Sequence, residues 1–152
     1  MTPTGPSLKG RALRLLARRE HSRAELERKL AAFEEVPGTL AQALDALQAK
    51  DFINEQRVVD SVVHRRAPRL GAGRVRQELE RKGLDREAVA SAVAALASTE
   101  LARARDVWQK KFGGTAAVDA ADRARQMRFL ASRGFSGEVV RRVVNAPDDD
   151  TA

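Results

Sequence analysis

A chain of 152 residues, 43% apolar, 32% charged and only 4% aromatic, carries a formal net charge of +7. It has no cysteine, which excludes disulfides, thiolate zinc sites and thiol nucleophiles, and it has no apolar run of roughly 18 residues to cross a membrane. The cationic excess calls for an anionic partner, whether nucleic acid, an acidic protein surface or a membrane surface.

The apolar residues are mostly Ala, Leu and Val, which suits packed helices better than a β-sandwich. The first residues, Met1 to Lys9, lack the apolar run of a secretory signal, and the basic segment that follows joins a repeat pattern instead of reading as a transit peptide. Leu8, Ala12, Leu15 and Leu16 share one helical stripe. Ser22 with Glu25 three residues later forms a capping box, opening a helix that carries Leu26, Leu30 and Phe33. Pro37-Gly38 interrupts, and Leu40, Ala43, Leu44 and Leu47 mark a third helix.

A second group opens near Asn54 or Glu55. Val58, Val59, Val62 and Val63 come in adjacent pairs four apart, a helical rather than a strand period. Pro68 and Gly71-Ala72-Gly73 are expected to end that helix. The next helix carries Val75 and Leu79, and the last carries Val89, Ala92, Val93 and Leu96. In the third group Leu101, Ala104, Trp108 and Phe112 share a face, and Gly113-Gly114 stops the helix. Ala120, Ala124, Met127 and Ala131, with Leu130 beside them, line the next one, and Val139, Val140, Val143 and Val144 line the last. Pro147 and Asp148 to Asp150 read as a disordered acidic tail.

These groups are copies of one another. Leu26-Glu27-Arg28-Lys29 recurs as Leu79-Glu80-Arg81-Lys82, and Leu79, Gly83, Leu84, Glu87 and Val89 reappear at the same offsets as Leu130, Gly134, Phe135, Glu138 and Val140. The expected fold is all-α: three tandem three-helix repeats over 8–53, 54–98 and 99–146 in an elongated, curved array, followed by the tail at 147–152. Three short helices are too few to bury a good core alone, so neighbouring repeats are expected to help one another. Gly83 and Gly134 fall where a helix ends in a left-handed residue, with Leu84 folding back on Leu79 and Phe135 on Leu130.

The segment Leu13 to Leu30 resembles the opening of the RecX family of recombinase regulators. So do Asp51-Phe-Ile-Asn-Glu-Gln-Arg-Val-Val59, then Arg65-Arg66, Gly71 and Arg76 to Leu84, and finally Ala104 to Gly113 with Gln126 to Phe135. The order and spacing of these segments carry the resemblance, which spans Leu8 to Val144. It implies a bacterial cytoplasmic protein without catalysis of its own that binds the RecA recombinase filament on DNA and modulates it, most commonly by inhibition. DNA is then a secondary partner, met through the filament or by weak direct contact, and the chain is expected to be a monomer.

The charge is unevenly distributed. Leu8 to Leu30 holds eight Lys/Arg against three Asp/Glu, Arg57 to Arg86 nine against four, and Leu101 to Arg142 ten against four, whereas Ala31 to Gln56 has one Lys and five acids. Stacked repeats would turn this into a basic stripe along one side. The candidate contacts, chosen for charge density and central position, are Arg65, Arg66, Arg69, Arg74, Arg76, Arg81 and Lys82 around the Gly-rich turn of the central repeat. Arginine there suits phosphate or carboxylate through its planar fork.

No catalytic or cofactor motif accompanies them. His21 and His64 have no metal partner at helical spacing, and Ser22 reads as a cap. Gly71-Ala72-Gly73 is no phosphate loop, and Trp108 reads as core rather than a stacking platform. Two other readings remain: direct DNA binding by helix-turn-helix-like basic units, and an adaptor recruiting a protein through the acidic third helices.

Overall fold

The structure, a computed structural model, describes residues 5–145. The expected tail, 147–152, lies outside the described residues. Among those described there is no strand. The helices are α1 (Leu8–Arg18), α2 (Arg23–Leu30), α3 (Thr39–Ala49), α4 (Glu55–Arg66), α5 (Ala72–Arg81), α6 (Arg86–Ala97), α7 (Glu100–Phe112), α8 (Ala120–Ser132) and α9 (Gly137–Asn145), with one turn of 3-10 helix at Ala31–Phe33.

Side-chain caps set most of the starts. Ser7, Asn54, Asp85 and Asp119 each accept the backbone N–H three residues on, satisfying a donor that the first helical turn leaves free. Ser22 and Glu25 form the full reciprocal box. Asn54 fixes the start of the second repeat, one residue before α4.

Each repeat closes its own core. Ala12, Leu26, Leu30, Leu40, Leu44, Leu47 and Ile53 pack together in the first. Val58, Val59, Val62, Val75, Leu79, Leu84, Val89 and Leu96 fill the second. Ala104, Trp108, Leu130, Phe135, Val140, Val143 and Val144 fill the third. Leu84 and Phe135 fold back under their own repeat, and the help that neighbouring repeats give one another comes through polar contacts rather than a common apolar core. Two expectations shift. Ala72 and Gly73 belong to the first turn of α5, with Gly71 as its N-cap, instead of ending α4. The buried residues of α8 are Gln126 and Leu130, while Ala120 and Ala131 are exposed. Gln126 is tolerated inside because its Oε1 accepts from Trp108 Nε1 at 2.9 Å and its Nε2 donates to the Thr115 carbonyl.

The repeats join through polar end-to-end contacts between their second helices. Gly71 N–H donates to the Arg133 carbonyl at 2.8 Å and Gly73 N–H to the Gly134 carbonyl at 3.1 Å. The orphan donors at the start of α5 thus meet the orphan acceptors at the end of α8, and the two helix dipoles align head to tail. At the other junction Ser22 Oγ donates to the Lys82 carbonyl while accepting the Glu25 N–H. The N-terminus of α2 therefore sits on the C-terminus of α5.

Gly134 makes this approach possible. It lies at φ +90, with Phe135 N–H returning to the Leu130 carbonyl and Gly134 N–H to Ala131 in a complete Schellman turn. A Cβ on Gly71 would overlap the Gly134 carbonyl.

Candidate functional site

Of the seven cations singled out by the sequence, four keep exposed side chains and three are engaged within the fold. Arg65, Arg69, Arg76 and Arg81 are exposed, with no ion-pair or hydrogen-bond partner for their side chains among the described residues. The other three are committed. Arg66 Nε pairs with Glu78 at 3.0 Å, Arg74 Nη1 donates to the Ser132 carbonyl across the second junction, and Lys82 pairs with Glu25 across the first. Arg76 lies with Glu80 and Arg86 along the α5–α6 side. Arg81 lies with Gln77 and Glu80 on α5, and Arg69 stands apart, at the α4–α5 turn.

The first junction is an ion-paired seam. Glu25 is buried, and Arg19 (2.8 Å) and Lys82 (3.3 Å) both reach its carboxylate. Burial alone would raise its pKa. The Arg19 hydrogen bond, the Ser22 N–H and the charges of Lys82 and Arg19 outweigh that and lower it to about 2. His21, also buried, has Nδ1 3.1 Å from the Arg19 carbonyl and Nε2 3.1 Å from Lys29 Nζ. An ammonium can only donate, so Nε2 accepts and Nδ1 carries the proton to the carbonyl. Burial pushes the His21 pKa down, consistent with that neutral tautomer. His21 is therefore structural, and no group of three or more His, Cys, Asp and Glu residues among the described residues is placed to hold a metal.

The second junction is built differently and leaves its cations open. Arg103, in the first turns of α7, sends Nη1 to the carbonyls of Ala67 (2.9 Å) and Leu70 (2.7 Å), and Nη2 to Leu96. Its guanidinium is desolvated enough to depress its pKa, yet three carbonyls satisfy it. This fork pins the Pro68-Arg69 turn against α7. The Gly71–Arg133 and Gly73–Gly134 bonds pin the end of α8 beside the same turn.

A groove results, lined by Arg69 and Pro68 from the turn, Val107, Lys110 and Lys111 from α7, and Phe129 and Arg133 from α8. Four cations from two repeats line it, and two of them lie over one aromatic ring. Lys111 Nζ lies 5.3 Å and the Arg133 guanidinium 4.9 Å from the Phe129 centroid, and Phe112 meets Phe129 edge-on at 5.5 Å. Among the described residues only Lys110 of these four has a carboxylate partner, Asp106 at 3.0 Å on an exposed face, a pair worth less than about 1 kcal/mol. Exposed cation–π contacts hold a side chain by roughly 0.5–1 kcal/mol, less than the roughly 1.5–3 kcal/mol of a charge-assisted hydrogen bond, so an arriving anion can recruit these cations. The sequence reading named Arg69 but missed Lys110, Lys111, Phe129 and Arg133. The clue available was Lys110-Lys111 beside Phe112, within a stretch as basic as the central one.

Among the described residues no helix is long and apolar enough to cross a membrane. Comparison with known proteins places this geometry in context. Three family models match in series: the first three-helix domain of RecX over residues 9–47, the second over 54–93 and the third over 98–144. "Regulatory protein RecX" of Leptothrix cholodnii is 54% identical over 144 residues, 95% of this chain and 91% of that one. The protein of the same name from Herminiimonas arsenicoxydans is 46% identical over 144 residues, 95% of each. The fold matches the crystal structure of RecX from Lactobacillus salivarius at a TM-score of 0.75 with 17% identity, covering 93% of this chain and 94% of that one. A second RecX crystal structure matches at 0.74, covering 91% of this chain and 71% of that one.

Proposed function

Because this chain belongs to the RecX family of regulatory proteins, we propose that it binds the RecA recombinase filament and restrains its ATP turnover and strand exchange. In this reading the chain acts in the bacterial cytoplasm, as a monomer and without catalysis of its own, linking it to the control of DNA repair. The repeats over 8–53, 54–98 and 99–146 are its working units, and DNA is met chiefly through the filament. The observation that supports it most is the open cationic groove at the second junction. A filament repeats acidic protein surface and phosphate along its axis, and a series of repeats can meet several of these at once, so modest contacts multiply through effective concentration.

Direct reading of duplex DNA by helix-turn-helix units fits less well. A recognition helix presents its N-terminal residues to base edges, and the N-termini of α2 and α5 are occupied by the helix ends they sit on. The test adds the purified protein to RecA filaments on single-stranded DNA and follows ATP hydrolysis and strand exchange, with naked duplex as control. Restraint of both activities, with far weaker binding to naked duplex, is expected. No effect on filaments, or tight sequence-dependent duplex binding with a steep salt slope, overturns the reading.

A further inference from the structure

We infer that the groove between the second and third repeats is a single-strand nucleic-acid site, in which Arg69, Lys111 and Arg133 take successive phosphates and an unstacked base settles toward Phe129. The inference rests on the function proposed above and assigns a place and a ligand to its nucleic-acid contact.

Three observations carry it. The cations come from three different elements, the α4–α5 turn, α7 and α8, and surround an apolar floor of Pro68, Val107 and Phe129. Interleaved cations and an aromatic ring are what a strand with exposed bases needs: charge tracks the backbone and the π-face receives a base of any sequence. A duplex offers its phosphates but keeps its bases stacked, so it would leave the apolar floor facing water. An acidic peptide would satisfy the charges equally well and likewise leave Phe129 unused. Lys111 and Arg133 rest only weakly over the Phe129 ring, so phosphates can draw them off and open its face to a base, while Arg103 fixes the turn that carries Arg69.

None of the three cations proposed as phosphate contacts has an ion-pair partner among the described residues. The main-chain carbonyl of Arg133, which bonds Gly71, is unaffected by what its guanidinium holds.

The experiment measures anisotropy of a fluorescein-labelled oligo(dT) with the full chain across a salt series. A matched duplex, an abasic strand of equal length and a poly-glutamate peptide are run in parallel. Oligo(dT) should bind better than all three. Arg69→Gln with Lys111→Gln should weaken it roughly tenfold and lower the log–log salt slope by about 1.4, two single-strand phosphates' worth. Phe129→Ala should bring oligo(dT) down to the abasic strand without changing the slope. Because Phe129 also packs against the third core, the comparison of oligo(dT) with abasic strand on the unaltered protein tests the base contact independently.

Unchanged affinity in the Arg69–Lys111 variant overturns the assignment. So does equal or tighter binding of poly-glutamate, which would make the groove a docking site for an acidic protein, or of the duplex. A protein that restrains filaments normally yet shows any of these results refutes the groove alone. A protein inert on filaments refutes the function.

Discussion

Replacing Gly134 by alanine separates the two reasons a glycine stands there. Its φ of +90 would cost a residue with a Cβ about 1–2 kcal/mol whatever surrounds it. The added Cβ would also lie 2.6 Å from the backbone nitrogen of Arg74 and 2.8 Å from its Cβ. Those atoms belong to the first turn of α5 and can yield only if the two repeats part, which adds about 1–3 kcal/mol of overpacking. Of the total, roughly 2–5 kcal/mol, the backbone part falls on the third repeat and only the close-contact part on the junction.

Gly113 is the internal control. It caps α7 at φ +64 with nothing within 4 Å of a built Cβ, so Gly113→Ala should cost only about 1–2 kcal/mol. Trp108, the sole tryptophan and buried in the third core, reports unfolding of that repeat in urea. Hydrogen exchange at the Gly71 and Gly73 amides reports the junction directly. Both variants should shift the Trp108 transition by a similar amount; in Gly134→Ala the two amides should lose protection beyond that shift, and in Gly113→Ala they should not. Equal losses at both sites would mean that backbone conformation alone explains the glycine and that the close approach of the repeats matters little.

Three further outcomes follow from buried polar groups. Glu25 has a folded pKa of about 2 against an ordinary value near 4.5. Its contribution of roughly 2–3 kcal/mol is therefore full above that ordinary value and lost as pH falls toward 2; Glu25→Gln should flatten the pH dependence of stability over that window, read by urea melts at a series of pH values. Gln126→Leu leaves Trp108 Nε1 without its acceptor inside the third core, so a loss of about 1–3 kcal/mol and a lower melting temperature are expected. Arg103→Lys replaces a fork that reaches three carbonyls with a single ammonium; a loss of about 1–3 kcal/mol is expected, with faster exchange around Leu70.

The repeat architecture was legible because it is written in local chemistry. The capping box at Ser22, Asn54 before α4, the valine pairs of α4 and α9, and the left-handed glycines at 83 and 134 all act within a few residues of themselves. The α8 stripe misled because Gln126 is buried through a bond to Trp108, and no periodicity of apolar residues reveals a polar side chain whose partner lies on another helix. The candidate site was legible only as a charge excess. Which cations are spent depends on partners such as Glu78 for Arg66 and the Ser132 carbonyl for Arg74, and those meet only in the folded array. For that reason reversing Arg65 and Arg66 together would also break a structural pair, and Arg69 with Lys111 is the cleaner combination.

The two junctions share one arrangement and differ in the residues that close it, Ser22 and Glu25 at the first against Gly71 and Arg74 at the second. In each, a cation that follows the C-terminus of a second helix, Lys82 after α5 and Arg133 after α8, comes to the N-terminus of the preceding repeat's second helix. At the first junction the third residue of that helix is Glu25, which takes Lys82 into a buried ion pair and closes the seam. At the second it is Arg74, which can only donate; it satisfies the Ser132 carbonyl and leaves the Arg133 side chain to turn toward Phe129. The outer ends of α2 and α8 are finished differently from the ends that meet at the junctions. Leu30, at the position matching Gly83, has φ −104, is buried in the first core and continues into a 3-10 turn, so α2 offers no left-handed glycine on which another helix could sit. At the opposite end α8 is capped by its own Asp119 side chain instead of a neighbour's carbonyls. An array built this way holds one junction closed by a buried ion pair and one that leaves Arg69, Lys111 and Arg133 without a carboxylate partner among the described residues, while Arg65, Arg76 and Arg81 stand exposed elsewhere on the second repeat.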